Sequence, residues 1–160
     1  MPHRLLLDTN TLLLWFIGAY DRRRIQTFKR TAQFTEGDYE LLIEVVQAFG
    51  SFVTTPHILT EVCNLSDMLV GDVRRDFCQT FARHIQMLDE HQLSATIVAA
   101  DPVFDRIGMT DTAIAQLAKR HSFVVVTVDL DLYVHLAAIG VDVVNFNHVR
   151  SSRLVPNFTQ

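Results

Sequence analysis

Two short apolar runs, Leu5–Leu7 and residues 123–128, each end abruptly in an aspartate, Asp8 and Asp129. In an open parallel sheet, ligands sit outside the carboxyl ends of the strands, at the crevice where strand order reverses. Acids at two strand ends therefore stand where a site should form, although a single one would mean little because turns favour aspartate. Asp111 opens a helical segment, where the macrodipole already favours a carboxylate; a simple helix-start acid explains it equally well. Glu61 lies three residues after Ile58 and four before Leu65. That is the edge of an apolar helix stripe, where a solvated glutamate gains little, though acids also occur there as ordinary neighbours of a core. Carboxylates gathered in one pocket repel, and some take up protons. A divalent cation removes the conflict, and all-oxygen ligation favours magnesium or manganese. Such a metal polarises a phosphate and lowers the pKa of a bound water that attacks in line.

The elements that must hold these acids read as alternating strands and helices. Residues 4–7 form a first strand, and the turn-prone Asp8-Thr9-Asn10-Thr11 leads into a helix carrying Leu12 to Ile17. Residues 20–50 read as helical, charged at first, with Leu41, Leu42, Val45, Val46 and Phe49 at helical spacing and Gly50 as the stop. Residues 51–54 read as a second strand. Thr55 then caps a helix with Pro56 at its first position, and Ile58, Val62, Leu65 and Leu69 make one stripe along it. Residues 72–88 form another amphipathic helix around Phe77, Phe81 and Ile85, while residues 92–100 are ambiguous between a short strand and a connector. Thr110 caps a helix over residues 111–120, residues 123–128 form a β-branched strand, residues 131–138 a short helix closed by Gly140, and residues 141–146 a last strand. This alternation predicts an α/β architecture with a parallel sheet. It forms a single domain over residues 1–150, with a loose tail at 151–160.

The chain has 160 residues, 49% of them hydrophobic and 20% charged, which suits one domain with a substantial core and excludes disorder of the bulk. Asp8 and Asn10 interrupt the amino-terminal apolar stretch, which argues against a membrane span or a secretory signal. A cytoplasmic protein is the expectation. Cys63 and Cys78 have no CxxC neighbour, so buried reduced thiols are expected rather than a disulfide framework or a zinc site. The net charge is −4, whereas a general polyanion binder is usually basic overall. Any nucleic-acid contact must then be local, and one basic run, Arg22, Arg23, Arg24, Lys29 and Arg30, offers it. A solvated helix face accounts for the run equally well.

Other chemistries find less support. His57 lies four residues before Glu61 and His135 four after Asp131, but neither makes a paired-histidine motif. Ser66 and the Ser151-Ser152 pair lack the GxSxG setting of a nucleophilic serine. The glycine-rich signatures GxxxxGK[ST] and GxGxxG are absent.

Four segments, Leu5-Leu6-Leu7-Asp8-Thr9-Asn10, Pro56-His57-Ile58-Leu59-Thr60-Glu61, Thr110-Asp111-Thr112-Ala113-Ile114-Ala115 and Val126-Thr127-Val128-Asp129, resemble the four motifs of PIN-domain ribonucleases in the family's order. Val141-Asp142-Val143-Val144-Asn145-Phe146 is similar to the family's closing strand, so the resemblance spans roughly residues 4–148. It implies a three-layer α/β/α sandwich with a central parallel sheet in strand order 3-2-1-4-5 and an acidic pocket at its carboxyl edge. The implied activity is hydrolysis of RNA with magnesium or manganese. Asp8, Glu61, Asp111 and Asp129 then match the catalytic acids, with Asp8, Asp111 and Asp129 holding metal. Asn10 and Thr127 match supporting positions, and Asp131 offers a further supporting acid, although an acid opening the following helix explains it equally well. Residues 20–50 depart from the pattern, being longer than their counterpart in the family's compact bacterial toxins.

The resemblance also implies a small antitoxin partner and a homodimer, for which Met68 and Val70, beside the stripe residue Leu69, offer an apolar surface. The basic run at Arg22 is expected to guide the RNA backbone toward the pocket. Two alternatives stand beside this reading. A haloacid-dehalogenase-like phosphatase also begins with a strand ending in aspartate, but its second acid is here Asn10, which cannot transfer a proton. A non-catalytic PIN-like module for RNA or a partner would be marked by loss of an acid, and all four are present.

Overall fold

The computed structural model describes residues 4–50 and 52–154 of the chain. Five strands, β1 (Leu5–Leu7), β2 (Phe52–Thr54), β3 (Asp89–Glu90), β4 (Val124–Thr127) and β5 (Val143–Asn145), form one sheet in the order β3-β2-β1-β4-β5. Every pairing is parallel, with Leu5 opposite both Phe52 and Val124. The two central strands are buried along their whole length, as expected where both faces of a parallel sheet are covered. From β1 the chain builds outward through β2 to β3, and from β4 it builds the other way to β5. Right-handed crossovers in opposite directions put helices on opposite faces. The architecture is therefore the expected α/β sandwich, with its switch point between β1 and β4.

Helix α1 (Thr9–Tyr20) is buried over most of its surface and serves as the core helix behind β1 and β4. Gly18 lets helix α2 (Glu36–Phe49) approach it closely: a Cβ there would lie 2.4 Å from the Tyr39 ring. Two of the caps read from the sequence are present. Thr55 accepts from the Ile58 amide at the start of α3 (Pro56–Ser66), with Pro56 in the first turn, and Gly50 ends α2 at φ 75°.

Several boundaries differ from expectation, each for a local reason. Residues 20–50 are not helical throughout. A single 3-10 turn, Arg22–Arg24, gives way to irregular turns, and α2 restarts at Glu36 behind a capping box between Thr35 and Asp38. Side chains compete with the helix there: Asp21 accepts from the Arg23 amide, and the Thr31 hydroxyl donates to the Ile25 carbonyl at 2.7 Å. Helix α3 stops at Ser66, so Leu69 fills the core from beyond the helix rather than along its stripe. Met68 and Val70 on either side are 43% and 77% exposed. Cys63 is exposed rather than buried and Cys78 is half-buried, both as free thiols. Helix α4 (Gly71–Ile85) ends before the expected Leu88, edge strand β3 follows at residues 89–90, which no element was expected to occupy, and the ambiguous residues 92–100 form a connector and a short helix, α5 (Ala95–Ala99). Strands β4 and β5 are shorter than read, and α7 (Leu130–Ala138) starts one residue earlier, capped by Asp129.

Helix α6 (Phe104–His121) carries a break at Gly108, where φ is 79° and ψ −178°. Two helical segments meet there, so Thr110 lies in the first turn of the second and gives its hydroxyl to Glu61 rather than to a cap. The expected tail begins instead with helix α8 (Phe146–Leu154); residues 155–160 and Ser51 lie outside the described residues. Arg150 of α8 fastens the long 20–50 segment to the domain. It pairs with Asp38 at 2.9 Å, donates to the Gln33 carbonyl and the Asn147 side chain, and stacks over Phe34. Phe34 is 0% exposed, so Phe34→Ala should cost about 3–5 kcal/mol of stability, read as a lowered urea midpoint. Among the described residues no helix is long and apolar enough to cross a membrane.

Candidate active site

Asp8 follows β1 and starts α1, with its side chain only 3% exposed. Its Oδ1 accepts from the Thr11 amide at 2.8 Å and the Thr11 hydroxyl at 2.6 Å. Its Oδ2 accepts from the Thr127 hydroxyl and, at 3.3 Å, from the Val128 amide. A carboxylate has about four acceptor positions, and donors of this chain engage all of them. Burial nevertheless pushes the Asp8 carboxyl above its ordinary range, against the pull of those donors.

Thr127 ends β4 and joins the two strand-end acids, since its hydroxyl also accepts from the Asp129 amide at 2.9 Å. Asp129 is exposed and uses Oδ1 to cap α7, accepting from the Leu132 amide at 2.9 Å. Across the switch point, Glu61 of α3 bridges two other helices. Its Oε2 accepts from the Thr9 hydroxyl and its Oε1 from the Thr110 hydroxyl, both at 2.7 Å.

Asp111 stands next to Thr110, just past the Gly108 break. Burial and then the charges of Asp8, Asp129 and Glu61 raise its carboxyl to about 7. Among the described residues no hydrogen bond relieves it. The structure thus brings all four acids read from the sequence to the carboxyl edge of the sheet, around the switch point. Among the described residues, however, no three acid, histidine or cysteine side chains stand close enough to form a ready-made metal cage. The acids meet at electrostatic reach rather than ligating distance.

The remaining expected residues fare differently. Thr127 is a positioning residue for Asp8. Asn10 is half-buried beside Thr9, and Asp131 is an exposed acid of the first turn of α7, outside the group that perturbs Asp111. The basic run stands, as expected, at the far end of α1, about 18 Å of helix rise from the acids. Its arginines are also engaged, Arg22 with Glu40 and both Arg23 and Arg24 with Asp21. Lys29 and Arg30 are exposed. His135 contacts Arg106 at 2.9 Å, whereas His57 lines a cleft beside Glu61. Sequence reading missed Thr9, Thr11 and Thr110, whose hydroxyls orient Asp8 and Glu61. Their only signal was position, each within three residues of a candidate acid or next to one.

The donor set suits a hard divalent cation. All the groups are oxygens, Asp111 has no competing donor, and magnesium is bound through few carboxylates while keeping several waters. Compared with known proteins, the chain matches no family model and no curated sequence.

Proposed function

We propose that this chain is a metal-dependent ribonuclease of the PIN type, cutting RNA phosphodiester bonds at the carboxyl edge of its sheet. The carrying observation is the Asp111 carboxyl raised to about 7 by burial and by three neighbouring acids. A site that accumulates negative charge to that degree is poised to exchange a proton for a cation. The motif resemblance extends the reading to the toxin of a toxin–antitoxin pair.

In this reading Asp111 and Asp129 are the direct magnesium or manganese ligands, with Asp8 as a buried charge beneath them and Glu61 on the rim. The bound metal supplies Lewis-acid polarisation of the phosphate and a water of lowered pKa. The chain's own residues prepare the pocket. Thr11 and Thr127 lock the Asp8 carboxylate, Thr9 and Thr110 hold Glu61 in one orientation, and the Asp129 cap fixes the loop after β4. Cleavage of single-stranded RNA that is lost in EDTA and restored by magnesium or manganese is the test. Equal cutting in EDTA by nuclease-free protein overturns the reading.

The basic run then acts at a distance. Since Arg22, Arg23 and Arg24 are already paired with acids, Lys29 and Arg30 are the cations best placed to meet an RNA backbone. Replacing both with glutamine should reduce the slope of log affinity against log salt by about 1–2, without altering metal affinity. An unchanged slope would mark the run as a solvated surface.

A further inference from the structure

The cleft beside Glu61 has a volume of about 230 Å³ and is lined by Pro56, His57, Thr60, Glu61, Met109 and Thr110. Glu61 and Thr110 belong to the acid site, so the cleft is continuous with it. Pro56, His57 and Met109 give the rest of the wall a pyrrolidine, an imidazole and a thioether. His57 Nδ1 is buried and has no hydrogen-bond partner among the described residues. A buried polar nitrogen left unpaired costs free energy that a partner would recover. The imidazole torsion is broadly two-fold, so a half-turn exchanges Nδ1 with a ring carbon and lets either edge face the cleft.

Resting on the ribonuclease reading, we propose that this cleft is a nucleobase subsite. The base of a nucleotide flanking the scissile phosphate enters it, lies against His57 and Met109, and hydrogen-bonds to the imidazole. Charge selects this occupant: Glu61 would repel a second phosphate, while a base is neutral, with apolar faces and a polar edge. An unpaired base can be turned out in this way and stacked on a side chain such as histidine without the unpairing and unstacking cost that a duplex imposes. The substrate is therefore a single-stranded segment, chosen at one position by base identity rather than by backbone shape alone.

The test is a coupling experiment on short single-stranded RNA, with calcium replacing magnesium so that binding is read without turnover. An abasic nucleotide is moved along the strand, and affinity is measured by fluorescence anisotropy for wild type, His57→Ala and His57→Asn. One abasic position should weaken wild-type binding by about tenfold, and the same position should cost nothing further in His57→Ala. His57→Asn, keeping a polar edge without the ring, should recover only part of the loss. Thermal melting establishes that the variants fold, and Met109→Ala serves the same cycle if His57→Ala does not. Additive effects at every position, with cleavage intact, overturn the subsite and leave the ribonuclease reading standing. RNA that is neither bound nor cut overturns both.

Discussion

Asp111→Asn should yield a folded protein whose metal-dependent RNA cleavage falls by about a thousandfold, the several kcal/mol expected of a Lewis-acid metal at tenfold per 1.36 kcal/mol. Asp8→Asn should lose as much activity but also stability. The two differ because of what already surrounds each carboxylate. Among the described residues no donor touches Asp111, so an amide there removes charge and little else. Asp8 accepts from Thr11 on one oxygen and from Thr127 and Val128 on the other. Its replacement must turn an amide N–H group toward one of those donors, and a buried mismatch of that kind costs about 1–3 kcal/mol. Calorimetric titration with manganese should show binding weakened in both variants, while only Asp8→Asn should melt markedly lower near neutral pH. Asp111→Asn cutting RNA at the wild-type rate, with or without EDTA, would end the metal mechanism.

How much of this was legible in the sequence depended on whether side chains or backbone carried the element. β1 and β4 could be read because central parallel strands are apolar on both faces. Asp8 and Asp129 could be read because an acid directly after such a strand has few other places to go. β3 could not, since Asp89 and Glu90 are exposed edge residues joined to the sheet by main-chain pairing to Val53 and Thr54. Helix α8 is polar along most of its length and is held by what Arg150 reaches on the other side of the chain. The break in α6 was hidden in Gly108, which composition alone cannot distinguish from a tolerated helical glycine. The pairing of the basic run could not be read, because Asp21 lies just outside it and Glu40 reaches it only after the chain folds back. The threonines that set the acids carry no sequence signal of their own, because threonine is ordinary both in strands and at helix starts.

In EDTA the protein should lose stability as pH rises from about 5 to 8, measured against Asp111→Asn. The Asp111 carboxyl is raised from 3.8 to about 7 in the folded chain. Between those values the folded state keeps a proton that the unfolded chain has released, so stability falls with pH and the cost is complete above the folded value. The part of the loss that falls above pH 5 is on the order of 2–4 kcal/mol, or roughly 4–16 °C in melting temperature for a chain of this size. Burial raises Asp8 as well, which acts in the same direction. Other groups oppose the trend. Burial lowers His91 and His135, and such histidines favour the folded state as pH rises through the lower part of this window. Asp38 is half-buried, but Arg150 and Thr35 outweigh that and hold it low, so its contribution is lost only at more acid pH. The difference between wild type and Asp111→Asn isolates the one carboxyl. The variant should already gain at pH 5 and should gain most at pH 8, where the cost is complete. Magnesium or manganese at pH 8 should then raise the wild-type melting temperature and leave the variant nearly unmoved, since the cation takes the place of the departing proton. Identical pH profiles for the two proteins in EDTA would show that the four acids do not share one field, and the site with them would fall.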